Sequence, residues 1–342
     1  MPCPTPPPDK PSSAKVLVTG GAGFIGSHVV AELLARGYRV VALDNLSGGF
    51  RSNVEDRATF VCGSILDVEL IDRLFVEHRF DYVFHLAAYA AEGLSHFIRR
   101  FNYQNNLMGS VNLINASVRN EVRCFVFTSS MAVYGGATPP VTEDMPTSPE
   151  DPYGIAKAAV ELDLRAAREM FGMPYIIIRP HNVYGERQNI GDRYRNVVGI
   201  FMNKLLRGEP VSIFGDGTQT RAFSYISDVA PIIAQTIERP EAYNQIFNIG
   251  ADHPVSINEL AETVCRVMNI PFAPRYMPTR FEVKHIYPSH AKARRVLGYH
   301  GRVALEDGLR AMATWVKRVG ARATRRFDGI EIERNLPPSW RD

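Results

Sequence analysis

Short apolar runs alternate along the chain with longer stretches whose apolar residues recur every three or four positions. Lys15-Val-Leu-Val-Thr19 is apolar and stops at a glycine cluster, which predicts a buried strand. A helix follows from about Phe24 to Arg36, ended by Gly37, and Tyr38–Asp44 reads as the second strand. The pattern continues with a strand near Thr59–Val61, a helix near Asp67–His78, a strand at Asp81–Leu86 and a helix near Tyr103–Arg119. A strand at Arg123–Thr128, a helix near Tyr153–Phe171 and a strand at Tyr175–Arg179 complete it. Such alternation predicts βαβ units, that is, an α/β fold with a doubly wound parallel sheet and helices on both faces.

After Arg179 the rhythm loosens. Tyr184–Arg195 and Pro271–Ser289 are loop-rich and polar, which suggests a smaller α/β lobe over the carboxyl ends of the strands. Tyr243–Ile249 reads as one more sheet strand, so the chain returns to the first lobe. The expected organisation is a disordered leader (1–14), a Rossmann-like first domain (15–180), a second lobe over most of 181–318 with 222–250 returning, and a tail (319–342). The tail mixes Arg pairs with Ile330, Ile332, Leu336 and Trp340, a pattern that suits either a solvated segment or one docked on a surface.

Composition narrows the function classes. The 342 residues are 45% hydrophobic, enough for more than one core, and no internal repeat suggests a solenoid. Thirty-nine basic residues against 36 acidic leave a formal charge of +3 with no dominant basic block. That gives no support to a nucleic-acid or membrane-surface partner. Cys3, Cys62, Cys124 and Cys265 form no CxxC or zinc-ligand pair, so neither a metal site nor a disulfide framework is expected, and a cytoplasmic location suits the chain. No apolar run approaches a membrane span, and residues 1–14 lack the apolar core of a signal peptide.

The candidate chemistry begins at Thr19-Gly-Gly-Ala-Gly-Phe-Ile-Gly26, between the first strand and the first helix. Gly20 allows a tight turn, Gly23 allows backbone to approach a pyrophosphate, and Gly26 allows close helix–strand packing. The helix N-terminus offers unpaired N–H groups to phosphates. Asp44, 18 residues past Gly26 at the end of the second strand, stands where an acid bonds the adenosine ribose. A carboxylate there repels a 2′-phosphate, which favours NAD over NADP. His85-Leu-Ala-Ala88 ends a strand with small residues against which a cofactor can lie. Ser130 follows the Arg123–Thr128 strand, and Tyr153 and Lys157 share a helix face at i,i+4. A nearby ammonium is expected to lower the phenol pKa and make Tyr153 an acid/base.

With these motifs the chain resembles the extended short-chain dehydrogenase/reductase family, within it the nucleotide-sugar epimerases and dehydratases, UDP-glucose 4-epimerase-like enzymes above all. The resemblance runs from about Lys15 to Trp315 and includes Asp44-Asn-Leu46, Asn105-Asn106, Thr128–Gly135, Arg179-Pro-His-Asn-Val-Tyr-Gly185 and Phe214–Arg221. It implies cofactor contacts at Gly20, Gly23, Phe24, Ile25, Gly26, Asp44, Asn45, Ser64, Ile65, Leu86, Ala87, Ala88, Asn105 and Thr128, with Tyr153 and Lys157. It implies that Tyr153 takes the sugar hydroxyl proton, Lys157 holds the nicotinamide ribose and Ser130 bonds the reacting oxygen. Asn182, Asn196, Arg221 and Arg280 match positions around the substrate diphosphate, and Ser212 and Phe214 match the segment that holds the base.

The two positions after Ser130 narrow the reaction. Related 4,6-dehydratases carry an Asp–Glu pair there, whereas this chain has Met131 and Ala132, which move no proton. The Ser/Tyr/Lys set suffices for reversible oxidation at one carbon, so inversion at C4 of a nucleotide-diphosphate sugar, a UDP-sugar first (glucose/galactose, N-acetyl or uronate type), through a 4-keto intermediate is expected, with NAD retained; Val283 after Arg280 leaves GDP or another nucleotide open. A keto-sugar reductase or dehydrogenase and a non-catalytic nucleotide sensor on this fold are the alternatives. Three departures stand out: Ser64 replaces an Asp beside the adenine, His181 replaces an aromatic, and Val283 occupies an acid position after Arg280. His181 is expected either to titrate or to pack. Arg99 and Arg100 either meet a uronate carboxylate or line a solvated helix face. A homodimer is expected through helices 103–119 and 153–171, the second presenting Ala156, Val160, Leu164 and Ala167, a stripe that equally suits core against the sheet.

Overall fold

A computed structural model describes residues 14–280, 283–324 and 326–341; the predicted leader up to residue 13 lies outside them. The central sheet has seven parallel strands: β1 (Lys15–Thr19), β2 (Arg39–Asp44), β3 (Thr59–Cys62), β4 (Tyr82–His85), β5 (Cys124–Thr128), β6 (Tyr175–Pro180) and β7 (Gln245–Ile249). Their order is β7-β6-β5-β4-β1-β2-β3, so the chain reverses direction across the sheet between β1 and β4. In doubly wound sheets a ligand crevice opens at that reversal, outside the carboxyl ends of the strands. Strands β1, β4, β5 and β6 are buried almost throughout, which is why they read as continuous apolar runs.

The helices of the sheet are α1 (Phe24–Ala35), α2 (Val68–His78), α3 (Gly109–Arg119), α4 (Pro152–Phe171) and, later in the chain, α6 (Ile226–Gln235). Local chemistry sets their ends. Asp67 caps α2 through the Leu70 N–H at 2.9 Å, and Asp151 caps α4 through the Gly154 N–H at 3.0 Å, with Pro152 in the first turn. Gly172 closes α4 in the left-handed conformation. One face of the sheet packs on α1 and α6, the other on α2, α3 and α4. Helix α3 is preceded by an α turn at Arg99–Tyr103 and a π turn at Gln104–Met108, so the helical segment starts earlier than the pattern predicts.

A second lobe is built around α5 (Val197–Leu206), α7 (Ile257–Met268) and α8 (Leu305–Val319), with short strands at Ser212–Phe214, Thr220–Ala222 and Arg275–Met277. Three expectations are corrected. Ala14, read as leader, is buried, and its carbonyl accepts the Arg39 N–H at 3.1 Å. Ala293, Leu297 and Tyr299, read as second lobe, join the core beneath the sheet. Ala156, Val160, Leu164 and Ala167 are core rather than a dimer face, because α4 turns that stripe onto the sheet and α3. The tail is docked: Leu336 and Trp340 are buried with Ala91, Leu94 and Ile98.

Candidate active site

The crevice at the β1/β4 reversal widens into one cavity of about 820 Å³ between the lobes, and the residues singled out from the sequence line it. At one end lies the β1–α1 turn. Gly20 has φ +69, and a Cβ there would stand 2.8 Å from the Ala87 nitrogen, so the turn lies directly on the strand-end residues Leu86, Ala87 and Ala88. A Cβ on Gly26 would meet the Gly20 carbonyl at 2.0 Å, which excludes any side chain. Gly23 forms the extended N-cap of α1, so Phe24 and Ile25 open the helix at the cavity wall.

Asp44 ends β2 and accepts N–H bonds from Ala22 (3.0 Å) and Leu46 (2.7 Å), while burial raises its pKa. Asn45, Ser64 and Ile65 continue that wall, and Asn105 reaches it from the π turn. The buried Thr128 Oγ1, also on the wall, has no hydrogen-bond partner among the described residues. A glycine turn that admits no Cβ, the N-terminus of α1, a carboxylate on the cavity wall and an unsatisfied hydroxyl suit a dinucleotide.

Ser130, Tyr153 and Lys157 meet at the middle of the cavity. Ser130 caps a short helical turn through the Ala132 N–H at 3.1 Å, and its hydroxyl acts on the Tyr153 phenol in favour of the phenolate. Lys157 donates from Nζ to the Thr128 carbonyl at 2.7 Å and lies 5.8 Å from the centre of the Tyr153 ring. The expected lowering of the Tyr153 pKa does not hold here. Burial, then the charge of Glu92, push the phenol above its ordinary range, with Ser130 opposing. Burial also brings Lys157 down to about 7, and Glu161 resists that fall.

Behind this set stands a buried network that the sequence reading missed. Glu161 Oε1 accepts from Ser129 Oγ (2.5 Å) and Arg179 Nε (2.9 Å), and its Oε2 accepts from Arg179 at 2.5 Å. Arg179 also donates to the Tyr134 hydroxyl at 2.6 Å, which donates to Asn248 at 2.9 Å. Glu161 follows Lys157 by four positions and Tyr153 by eight on α4, a spacing that marks it in retrospect.

The far end is formed by Asn182, Asn196, Ser212, Phe214, Arg221 and Arg280. Asn182 and Asn196 take positive φ of 40 and 63, turning the chain into and out of the 182–196 segment. Arg221 donates to the Thr220 (2.8 Å) and Lys284 (3.1 Å) carbonyls and to that of Val283. Arg280 lies 4.6 Å over the Phe214 ring. Lys204, bonded to Ser212 Oγ at 2.8 Å, joins this end unforeseen, as do Glu92, His96 and Arg195 nearer Tyr153. His181 is packed: it bonds the Ala222 carbonyl at 3.0 Å, stacks on His290, and burial drives its pKa to about 3. Arg99 and Arg100 are exposed and do not line the cavity.

Among the described residues no helix is long and apolar enough to cross a membrane, and no cluster of His, Cys, Asp or Glu is placed to hold a metal ion. The sheet order, the glycine turn and the Ser/Tyr/Lys set define a Rossmann-type NAD enzyme. The family model described as "NAD dependent epimerase/dehydratase family" matches residues 16–250, and the chain belongs to that family. The putative UDP-glucose 4-epimerase of Methanocaldococcus jannaschii is 35% identical over 305 residues, 88% of this chain and 98% of that protein. The structure of UDP-glucose 4-epimerase from Thermotoga maritima with UDP-glucose is similar at TM-score 0.85 and 37% identity, covering 89% of this chain and 99% of that one. That of Thermus thermophilus UDP-glucose 4-epimerase with NAD is similar at TM-score 0.82 and 32% identity, covering 89% and 99%.

Proposed function

We propose that the protein inverts C4 of a UDP-hexose, of glucose/galactose, N-acetyl or uronate type, with NAD retained between turnovers. The observation that carries this reading is the meeting of Ser130, Tyr153 and Lys157 midway along one cavity, between a dinucleotide-shaped end and a cationic end. When bound, NAD would accept the hydride from C4 and later give it back. Tyr153 takes the proton of the C4 hydroxyl while Ser130 bonds the same oxygen and favours the phenolate. Lys157, fixed on the Thr128 carbonyl, is placed to hold the cofactor ribose. The 4-keto sugar then turns in the cavity and receives the hydride on its other face, and Tyr153 returns the proton. Arg221, Arg280 and Lys204 supply the positive charge for the diphosphate, and Phe214 a face for the base.

Met131 and Ala132 border the cavity beside Ser130 and offer no acid or base for eliminating water. The test is to incubate UDP-glucose, UDP-N-acetylglucosamine and UDP-glucuronate separately with the enzyme and weigh the products. An epimer of unchanged mass is expected from at least one; loss of water or carbon dioxide as the main outcome would contradict the assignment.

We infer further that the enzyme is a cytoplasmic homodimer. The three described cysteines are free thiols, which suits a reducing compartment. Ile155 and Leu162, one heptad apart on α4, and Met108 beside α3 are exposed, so these helices still offer an apolar surface, rotated from the one first expected.

A further inference from the structure

The tail after α8 returns to the cavity, where Thr324, Ser339 and Trp340 line it. The Arg322 N–H bonds Asn203 Oδ1 at 2.8 Å, and Asn203 Nδ2 returns a bond to the Arg322 carbonyl at 2.9 Å, which pins the tail to α5. The Phe327 N–H bonds the Tyr194 hydroxyl at 3.1 Å. The Glu331 carboxylate accepts the N–H groups of Arg100 and Phe101, both at 2.9 Å, where the helical segment before α3 begins. Further along the tail, Trp340 is edge-on to Tyr194 at 5.3 Å, and the Ser339 carbonyl is bonded by Arg193. It therefore joins the second lobe to the loop after β4.

Trp340 lines the cavity beside the turn at Gly93. A Cβ on Gly93 would stand 3.1 Å from Trp340 Cη2, so the indole lies directly on the turn that carries Glu92. Glu92 and Arg195 both act electrostatically on Tyr153, which marks the reacting carbon, and Tyr194 is the neighbour of Arg195. Ser339 and Trp340 line the same cavity as Tyr153. The family match ends at residue 250, before this segment.

We propose that the docked tail is a wall of the sugar subsite, and that Trp340 is a specificity-determining residue that limits how bulky a sugar substituent the enzyme accepts. The inference rests on the UDP-hexose reading of this cavity. An apolar wall discriminates by volume, and even one methylene of misfit changes preference by roughly 10–200-fold. Shortening Trp340 is thus expected to raise the relative preference for the bulkier sugar by about tenfold or more.

The experiment compares wild type, Trp340→Ala and Leu336→Ala for calorimetric binding and kcat/KM with UDP-glucose and UDP-N-acetylglucosamine. Leu336 is buried in the same aromatic cluster but does not line the cavity, so it reports on tail docking alone. The expected result is a ratio shifted towards the N-acetyl sugar in Trp340→Ala and unchanged in Leu336→Ala. An unchanged ratio in Trp340→Ala, or an equal shift in both variants, would overturn the proposal. If Trp340→Ala does not fold, Trp340→Leu is read by the same criteria. Binding reports on the wall even where no sugar turns over, whereas absence of epimerisation by wild type counts against the reaction.

Discussion

Replacing Glu161 by Gln tests whether the buried network supports the reacting residues. Glu161 and Arg179 are 2% and 1% exposed, so water cannot solvate either charge. Removing one partner of a buried pair leaves the other uncompensated, at a cost of about 3–5 kcal/mol. Gln keeps one acceptor for Arg179 and Ser129, which puts the expectation near the lower figure. For a chain of this size that is a fall in Tm of roughly 6 °C, at about 2 °C per kcal/mol. The pH behaviour follows from Lys157, which burial brings to about 7 while Glu161 resists. Its folded pKa lies below its unfolded value, so below about 7 the buried ammonium opposes folding. That penalty fades as pH rises from the folded towards the unfolded pKa. Without the carboxylate the Lys157 midpoint moves lower still. If the ammonium is the working form, the alkaline loss of activity starts at a lower pH in the variant. The assays are thermal unfolding and a pH–rate profile from about pH 5 to 9, which brackets the Lys157 midpoint. A variant as stable as wild type, with an unshifted alkaline limb, would refute the reasoning. Glu161→Met with Arg179→Met, which removes both charges, should recover part of the stability.

Tyr153→Phe should lower kcat by about 10²–10⁴-fold, the value of a well-placed acid/base, while leaving NAD bound. Near-normal turnover, with bound NAD monitored by absorbance, would remove Tyr153 from its role. Leu162→Glu should convert a dimer into a monomer by light scattering at micromolar concentration, since it places a charge at the centre of the exposed face of α4. A wild-type mass equal to one chain would dispose of the dimer without any variant.

The sheet was legible because its strands are apolar on both faces and its turns are glycine-rich. Thr19–Gly26 could be assigned from sequence alone, because each glycine answers a separate steric demand, at Ala87 or at the Gly20 carbonyl. The meeting of Ser130, Tyr153 and Lys157 at one cavity was legible for a related reason: they are fixed to a strand end and to one helix face. What escaped is what depends on long-range packing. The stripe Ala156–Ala167 looked equally good as core or as interface, and only the tilt of α4 on the sheet decides. The sign of the Tyr153 shift depends on burial and on the charge of Glu92, which i,i+4 spacing does not encode. Lys204 and Trp340 reach the cavity from elements distant in sequence and carry no local motif.

The central claim is that hydride leaves C4 and returns to the same carbon without meeting solvent. The direct test is to supply UDP-glucose deuterated at C4, without added cofactor, and follow the product by NMR in ordinary water. The account predicts a C4 epimer that keeps its deuterium at C4 and takes up none of the solvent hydrogen there. Loss of the label to water during epimerisation would show that inversion proceeds by proton exchange, and would contradict the mechanism assigned to Ser130, Tyr153 and Lys157.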